Sequence, residues 1–126
     1  MTTDFPSLAT SGLPPIDLPT PDEPDYAAEL RRAFPTATIE ILTSAPDFVQ
    51  NGNTSHSIAR NEYCFSQPVV AVALGNRVAH IIPAGGFGRS PRWRADIYTI
   101  DGSNHTRISG SHSMEIDAIR RHLTSS

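Results

Sequence analysis

Residues 68–83 read PVVAVALGNRVAHIIP: two runs of small and β-branched apolar residues meeting at Gly75-Asn76. That dipeptide fits a two-residue hairpin turn, and the turn sets the register of both strands. Leu74 then faces Arg77, Val72 faces Ala79 and Val70 faces Ile81 on one side of the ribbon. Ala73 faces Val78, Ala71 faces His80 and Val69 faces Ile82 on the other. Both faces are mostly apolar. Such a hairpin belongs in the middle of a sheet covered on both sides, by the chain's own helices and N-terminal arm or by a second subunit.

Working outward, residues 95–109 (ADIYTIDGSNHTRIS) read as a second hairpin turning at Asp101-Gly102. Ile97 then shares a face with Ile108, while Tyr98, Ile100, His105 and Arg107 share the opposite, mixed and ligand-compatible face. Residues 113–123 (SMEIDAIRRHL) read as a closing helix. Ser113 is its cap, Glu115 and Asp117 lie in the first turn, Arg120, Arg121 and His122 lie near the C-terminal end, and Ile116, Ile119 and Leu123 form the buried stripe. Upstream, a helix begins at Asp22, places Tyr26, Leu30, Ala33 and Phe34 on one face and stops at Pro35. Residues 36–42 (TATIEIL) alternate as a strand with one buried face. Between residues 45 and 67 the pattern weakens: Asn51-Gly52 marks a turn and residues 62–65 (EYCF) suit a short strand.

The order predicts a single α+β domain over residues 22–126, built on a mainly antiparallel sheet of about five strands with an N-terminal and a C-terminal helix. Residues 1–21 differ. Five of the chain's eleven prolines fall there, and proline removes amide donors and favours an extended path, so this is a Pro-rich arm and not a strand. Phe5, Leu8, Leu13, Ile16 and Leu18 are spaced along it as candidate partner-binding anchors.

The totals bound the function. A chain of 126 residues with 38% apolar and 18% charged residues is long enough to bury one core without staples. Cys64 is the sole cysteine, which leaves no intrachain disulfide and no thiolate zinc site, and fits a reducing compartment. No apolar run approaches a membrane span and the N-terminus lacks a signal-peptide pattern, so a cytoplasmic location is expected, or the virion or host cytoplasm if the chain is virus-encoded. A net charge of −3 makes a nucleic-acid partner unexpected. All ten basic residues are arginine, which reflects either codon usage or avoidance of lysine modification, and supplies forked donors suited to carboxylate or phosphate.

Residues 83–94 (PAGGFGRSPRWR) are the strongest candidate for a ligand loop. Gly85, Gly86 and Gly88 allow consecutive amides to line an anion-binding concavity, Arg89, Arg92 and Arg94 add charge, and Trp93 offers a stacking plane. The loop lacks the Lys-Ser/Thr of a phosphate-binding P-loop and leads into a strand rather than a helix, so the competing reading is a plain connection. Five histidines show no metal-ligand spacing, and neither metal nor cofactor is expected. His80 reads as a satisfied core histidine, and Cys64 as a structural thiol rather than a nucleophile. His80 and His105 remain the weak candidates for acid–base work.

The sequence therefore points to a non-enzymatic interaction module: an accessory, inhibitor or chaperone-like protein that self-associates and engages a protein partner through its arm or arginine-bearing loop. Two alternatives stand beside it. One is a small enzyme or binding domain for a phosphorylated ligand or nucleotide seated on residues 84–94. The other, weaker, is single-stranded nucleic-acid binding through Arg89, Arg92, Trp93 and Arg94.

Overall fold

A computed structural model describes residues 23–50, 56–84 and 92–124. The arm with its five apolar anchors, the Asp22 cap, the Asn51-Gly52 turn and the loop residues Gly85, Gly86, Gly88 and Arg89 lie outside the described residues. In chain order the elements are α1 (Asp25–Ala33), β1 (Thr38–Leu42), α2 (Asp47–Gln50), a 3-10 turn (Arg60–Glu62), β2 (Val69–Leu74), β3 (Arg77–Pro83), β4 (Trp93–Asp101), β5 (Asn104–Met114) and α3 (Ile116–Thr124). The five strands form one sheet in the order β1-β2-β3-β4-β5, with every neighbouring pair antiparallel. No helix among the described residues is long and apolar enough to cross a membrane.

The β2–β3 hairpin carries the register that its turn dictates: Leu74 opposite Arg77, Ala73 opposite Val78, Ala71 opposite His80 and Val70 opposite Ile81. Gly75 sits at φ +64°, in the left-handed region that a side chain disfavours. Because side chains alternate across a strand, the ladder then sorts the sheet into two faces. One cross-sheet row runs Ile39, Val72, Ala79, Ile97, Ser109, and a second runs Ile41, Val70, Ile81, Ala95, Ser111. These rows meet α1 and α3, whose Ala27, Leu30, Phe34, Ile119 and Leu123 complete the main core with Trp93 and Met114.

The opposite face carries the rows Thr38, Ala73, Val78, Tyr98, Arg107 and Glu40, Ala71, His80, Asp96, Gly110. No long helix among the described residues covers it. Val49, Ile58 and Tyr63, from the irregular segment between β1 and β2, pack on Val69 and Ile82 at one end. Phe48 and Ile100 close on Ala71, Val78 and Tyr98 toward the other.

Four local expectations differ from what forms. Residues 62–65 are not a strand: Glu62 Oε1 accepts the Ala59 N–H at 2.8 Å, which closes a 3-10 turn, and Tyr63 turns inward to His80. Ser113 does not cap α3, because pairing of Met114 with Trp93 prolongs β5 past it and its N–H goes to Ser111 Oγ at 3.1 Å. The second turn is Gly102-Ser103, one residue later than expected, with Asp101 opposite Asn104 and Gly102 at φ +63°. Ile108 does not share the face of Ile97. Tyr98 pairs with Arg107 but Ile97 with Ser109, so Ile108 is the extra residue of a β-bulge and stands 43% exposed.

Candidate functional site

On the face opposite α1 and α3, the middle strands present Ala71, Ala73 and Val78, small side chains that leave the sheet surface low. Phe48, from α2, rises beside them, and the result is a half-open cleft of about 330 Å³. Thr38, Glu40, Leu42 and Pro46 line the side toward β1, and His80, Ile100 and His105 line the side toward β5.

The wall is aromatic. Phe48 stacks flat on the His105 ring, centroids 4.0 Å apart and planes within 2°, and meets the Tyr98 ring edge-on at 5.0 Å. His80 stands 5.1 Å from Tyr98 and 5.6 Å from Phe48. The His56 ring stacks near Tyr98, centroids 5.9 Å apart. Rings at these distances prefer offset or edge-to-face arrangements and hold one another in place.

Behind the wall lies a buried polar layer. His80 is 3% exposed, and its Nδ1 lies 2.7 Å from the Tyr63 hydroxyl. Burial disfavours the imidazolium and takes His80 down to about 4, against a smaller opposing pull from Asp96 and with His105 and His56 adding to the fall. Burial likewise raises both phenols, Tyr63 and Tyr98, well above the usual tyrosine range. At neutral pH the layer is therefore uncharged: a neutral imidazole and two protonated phenols. One hydrogen bond joins the two, donated by the phenol in the Nε2–H tautomer of His80 and by the ring in the Nδ1–H tautomer. Tyr98 Oη and His105 Nδ1 are buried without a hydrogen-bond partner among the described residues, although the Tyr63 phenol is near enough to perturb Tyr98.

Asp96, fully buried beside His80, fastens the loop that closes one end of this layer. Its Oδ1 accepts the Ser57 N–H at 3.0 Å and Arg107 Nε at 2.9 Å, and its Oδ2 accepts the Ile58 N–H at 2.9 Å. A buried carboxylate is tolerated where charge-assisted bonds of this kind replace its hydration. Arg107 Nη2 continues to Ser57 Oγ at 3.2 Å. Gly110, opposite Asp96, lets the guanidinium pass: a Cβ there would collide with Arg107 and with the carboxylate.

The residues expected to act divide accordingly. His80 and His105 both line the cleft. Trp93 is committed to the core on the helix side. Arg94 pairs with Glu62 and donates to the Ser57 carbonyl, and Arg92 pairs with Glu115 at 3.2 Å on the surface. Cys64 is half-buried and outside the cleft, with Ser66 Oγ at 3.4 Å. Its thiol is drawn below the usual range, chiefly by that hydroxyl. A Ser–His contact, Ser109 to His122 at 3.3 Å, lies elsewhere, where β5 meets α3. Among the described residues no cluster of three His, Cys, Asp or Glu is placed to hold a metal ion. Tyr98 was expected on a ligand-compatible face with Ile100, His105 and Arg107, whereas Phe48 was not singled out by the sequence. For Asp96 the available signal was an acid within the apolar strand ADIYTI, since a buried Asp requires donors.

Comparison with known proteins returns no matching family, no matching curated protein and no matching solved structure. The cleft is therefore read on its own chemistry.

Proposed function

We propose that the protein is a non-enzymatic binding module that recognises an extended, apolar, proline-containing segment of a protein partner in the aromatic cleft. The observation that supports this reading is the Phe48–His105 stack with Tyr98 beside it, over a floor of Ala71, Ala73 and Val78. Aromatic-lined grooves on a firm scaffold suit polyproline segments, which arrive already extended and lose little entropy on docking. At about 330 Å³ the space is at the lower limit of small-molecule sites, and its half-open form suits one or two side chains of a passing chain.

The same chemistry speaks against catalysis in the cleft. Thr38 is the sole hydroxyl or thiol among the described lining residues. A histidine held near 4 is a weak base at neutral pH, and its Nδ1 is already engaged by Tyr63. Self-association and a cytoplasmic location belong to this reading as further expectations; light scattering of the purified chain tests the first.

The binding test uses the full chain, isotopically labelled, titrated with a proline-rich peptide of arbitrary sequence. Expected are resonance changes confined to the cleft-lining residues and binding weakened at least about tenfold, or ~1.4 kcal/mol, by Ala73→Leu, which fills the floor. Changes on the α1 and α3 side, or equal binding by the Ala73→Leu chain, would reject the cleft as the recognition surface.

A further inference from the structure

Among the described residues that line the cleft, Glu40 is the one fixed charge. It stands exposed on β1 beside Thr38 and forms no ion pair among the described residues. The arginines that rise from β4 and β5 on the same face are already taken, Arg94 by Glu62 and Arg107 by Asp96. The cleft therefore presents an unneutralised carboxylate beside apolar and aromatic walls, and a cationic group complements it.

The sheet sets the distances. Glu40 lies opposite Ala71, and Ala71 opposite His80. At ~4.8 Å between neighbouring strands, the Glu40 and His80 backbones stand roughly 10 Å apart with only a methyl group between them. In the neighbouring row Thr38 and Val78 flank Ala73 in the same way. A long side chain can therefore lie across the alanines, with Glu40 on one bank and, on the other, the Phe48 ring stacked on His105. Burial holds His80 uncharged at neutral pH, at about 4, so this imidazole does not repel a cation. Arginine meets these demands better than lysine. Its stem covers apolar surface, its forked donors match a carboxylate, and its planar, weakly hydrated guanidinium lies well against aromatic rings.

We propose that the cleft selects an arginine within the partner's otherwise apolar segment, its guanidinium paired with Glu40 and its stem laid over Ala71 and Ala73. This rests on the reading of the cleft as a site for proline-containing segments, and adds the side chain by which one such segment is told from another. Glu40 is then a specificity-determining residue. Because β1 ends the sheet, a charge there also discourages other chains from pairing with its edge. That role would produce no coupling between Glu40 and a peptide's arginine, and the coupling is what the experiment reads.

Wild type and Glu40→Gln, each as the full, isotopically labelled chain, are titrated with polyproline peptides that differ only at one central position: arginine, lysine or glutamine. Wild type should bind the arginine peptide about three- to tenfold more tightly than the glutamine peptide, the scale of one half-exposed ion pair with a ring contact, with lysine between them. In Glu40→Gln the arginine and glutamine peptides should bind alike. The same preference in both chains overturns Glu40 as the reader of the arginine. Equal binding of all three peptides by wild type, with resonance changes at the cleft, overturns the selection and leaves the cleft reading intact. Lysine binding as tightly as arginine overturns the choice of arginine in favour of any cation. An absence of resonance changes at the cleft with every peptide overturns both readings. A dimeric mass without peptide that Glu40→Gln reduces to the monomer overturns the foreign partner in favour of an arginine from a second copy.

Discussion

At the scale of single residues, the buried layer beside the cleft is governed by the cost of charge. His80 is nearly inaccessible, packed between Tyr63, Phe48 and Tyr98, and the nearby carboxylate of Asp96 only partly offsets its desolvation. Its folded pKa, about 4 against an ordinary 6.5, fixes the sign of its contribution. Below pH 6.5 the unfolded chain takes up a proton on this residue that the folded chain refuses, so the stability it contributes is complete above pH 6.5 and is lost as pH falls toward 4. The shift corresponds to about 3 kcal/mol, most of it gone by pH 4.5. Urea denaturation at pH 7 and pH 4.5 should show wild type losing about 2–3 kcal/mol more than His80→Gln, a neutral side chain that still offers Tyr63 an acceptor. An equal loss in both proteins would place the titration elsewhere. His80 was legible as a satisfied core histidine because it falls in an unbroken apolar strand. Its partner was not, since Tyr63 lies 17 residues away in a segment without periodicity.

At the scale of elements, what was legible depended on whether local pattern or distant pairing decided the outcome. The β2–β3 hairpin, the α1 stripe and the α3 stripe follow from alternation, from 3.6-residue spacing and from one glycine turn, all encoded within a few positions. The end of β5 and its bulge depend instead on what lies across the ladder: Met114 is held by Trp93, and Ile108 is expelled where the register slips between Ile97 and Tyr98. The bulge re-aims Arg107, which then reaches over Gly110 to Asp96. Without it, residues 107 and 110 would alternate to opposite faces of the sheet. This makes Gly110 an element-level requirement for reasons of contact rather than backbone angle. Gly110→Ala should cost about 1–3 kcal/mol by thermal or urea denaturation, the range for overpacking at a crowded site. The loss should shrink when Arg107→Ala is present, because the colliding guanidinium is gone. Equal cost in both backgrounds would show that the methyl meets something other than this pair.

At the scale of the whole molecule, the two faces of one sheet are held by different means, and this predicts how the molecule opens. The helix side is a continuous apolar cluster drawn from α1, α3 and all five strands, with β5 contributing Met114 at its end, the kind of region that exchanges its amides only when the entire fold unfolds. The cover on the other side is a segment with little regular structure, fastened by a few polar links. Asp96 holds Ser57 and Ile58, Arg94 holds Glu62 and the Ser57 carbonyl, and Tyr63 holds His80. Removing one link should therefore loosen the cover before it loosens the core. Asp96→Asn keeps the shape but replaces half of a doubly accepting carboxylate with an amide donor, facing N–H groups and a guanidinium that are themselves donors. Breaking a buried charge pair of this kind costs about 3–5 kcal/mol. If the cover opens on its own, most of that cost falls on local opening. Hydrogen exchange should then show the Ser57 and Ile58 amides accelerated by two or more orders of magnitude, while the amides of β2, β3 and β4 slow-exchange nearly as in wild type. The aromatic wall at Tyr98, flanked by His56 from the same segment, should lose its order with the cover. Uniform acceleration across the sheet would mean instead that the two faces unfold as one unit, and that the cleft is as rigid as the core behind it.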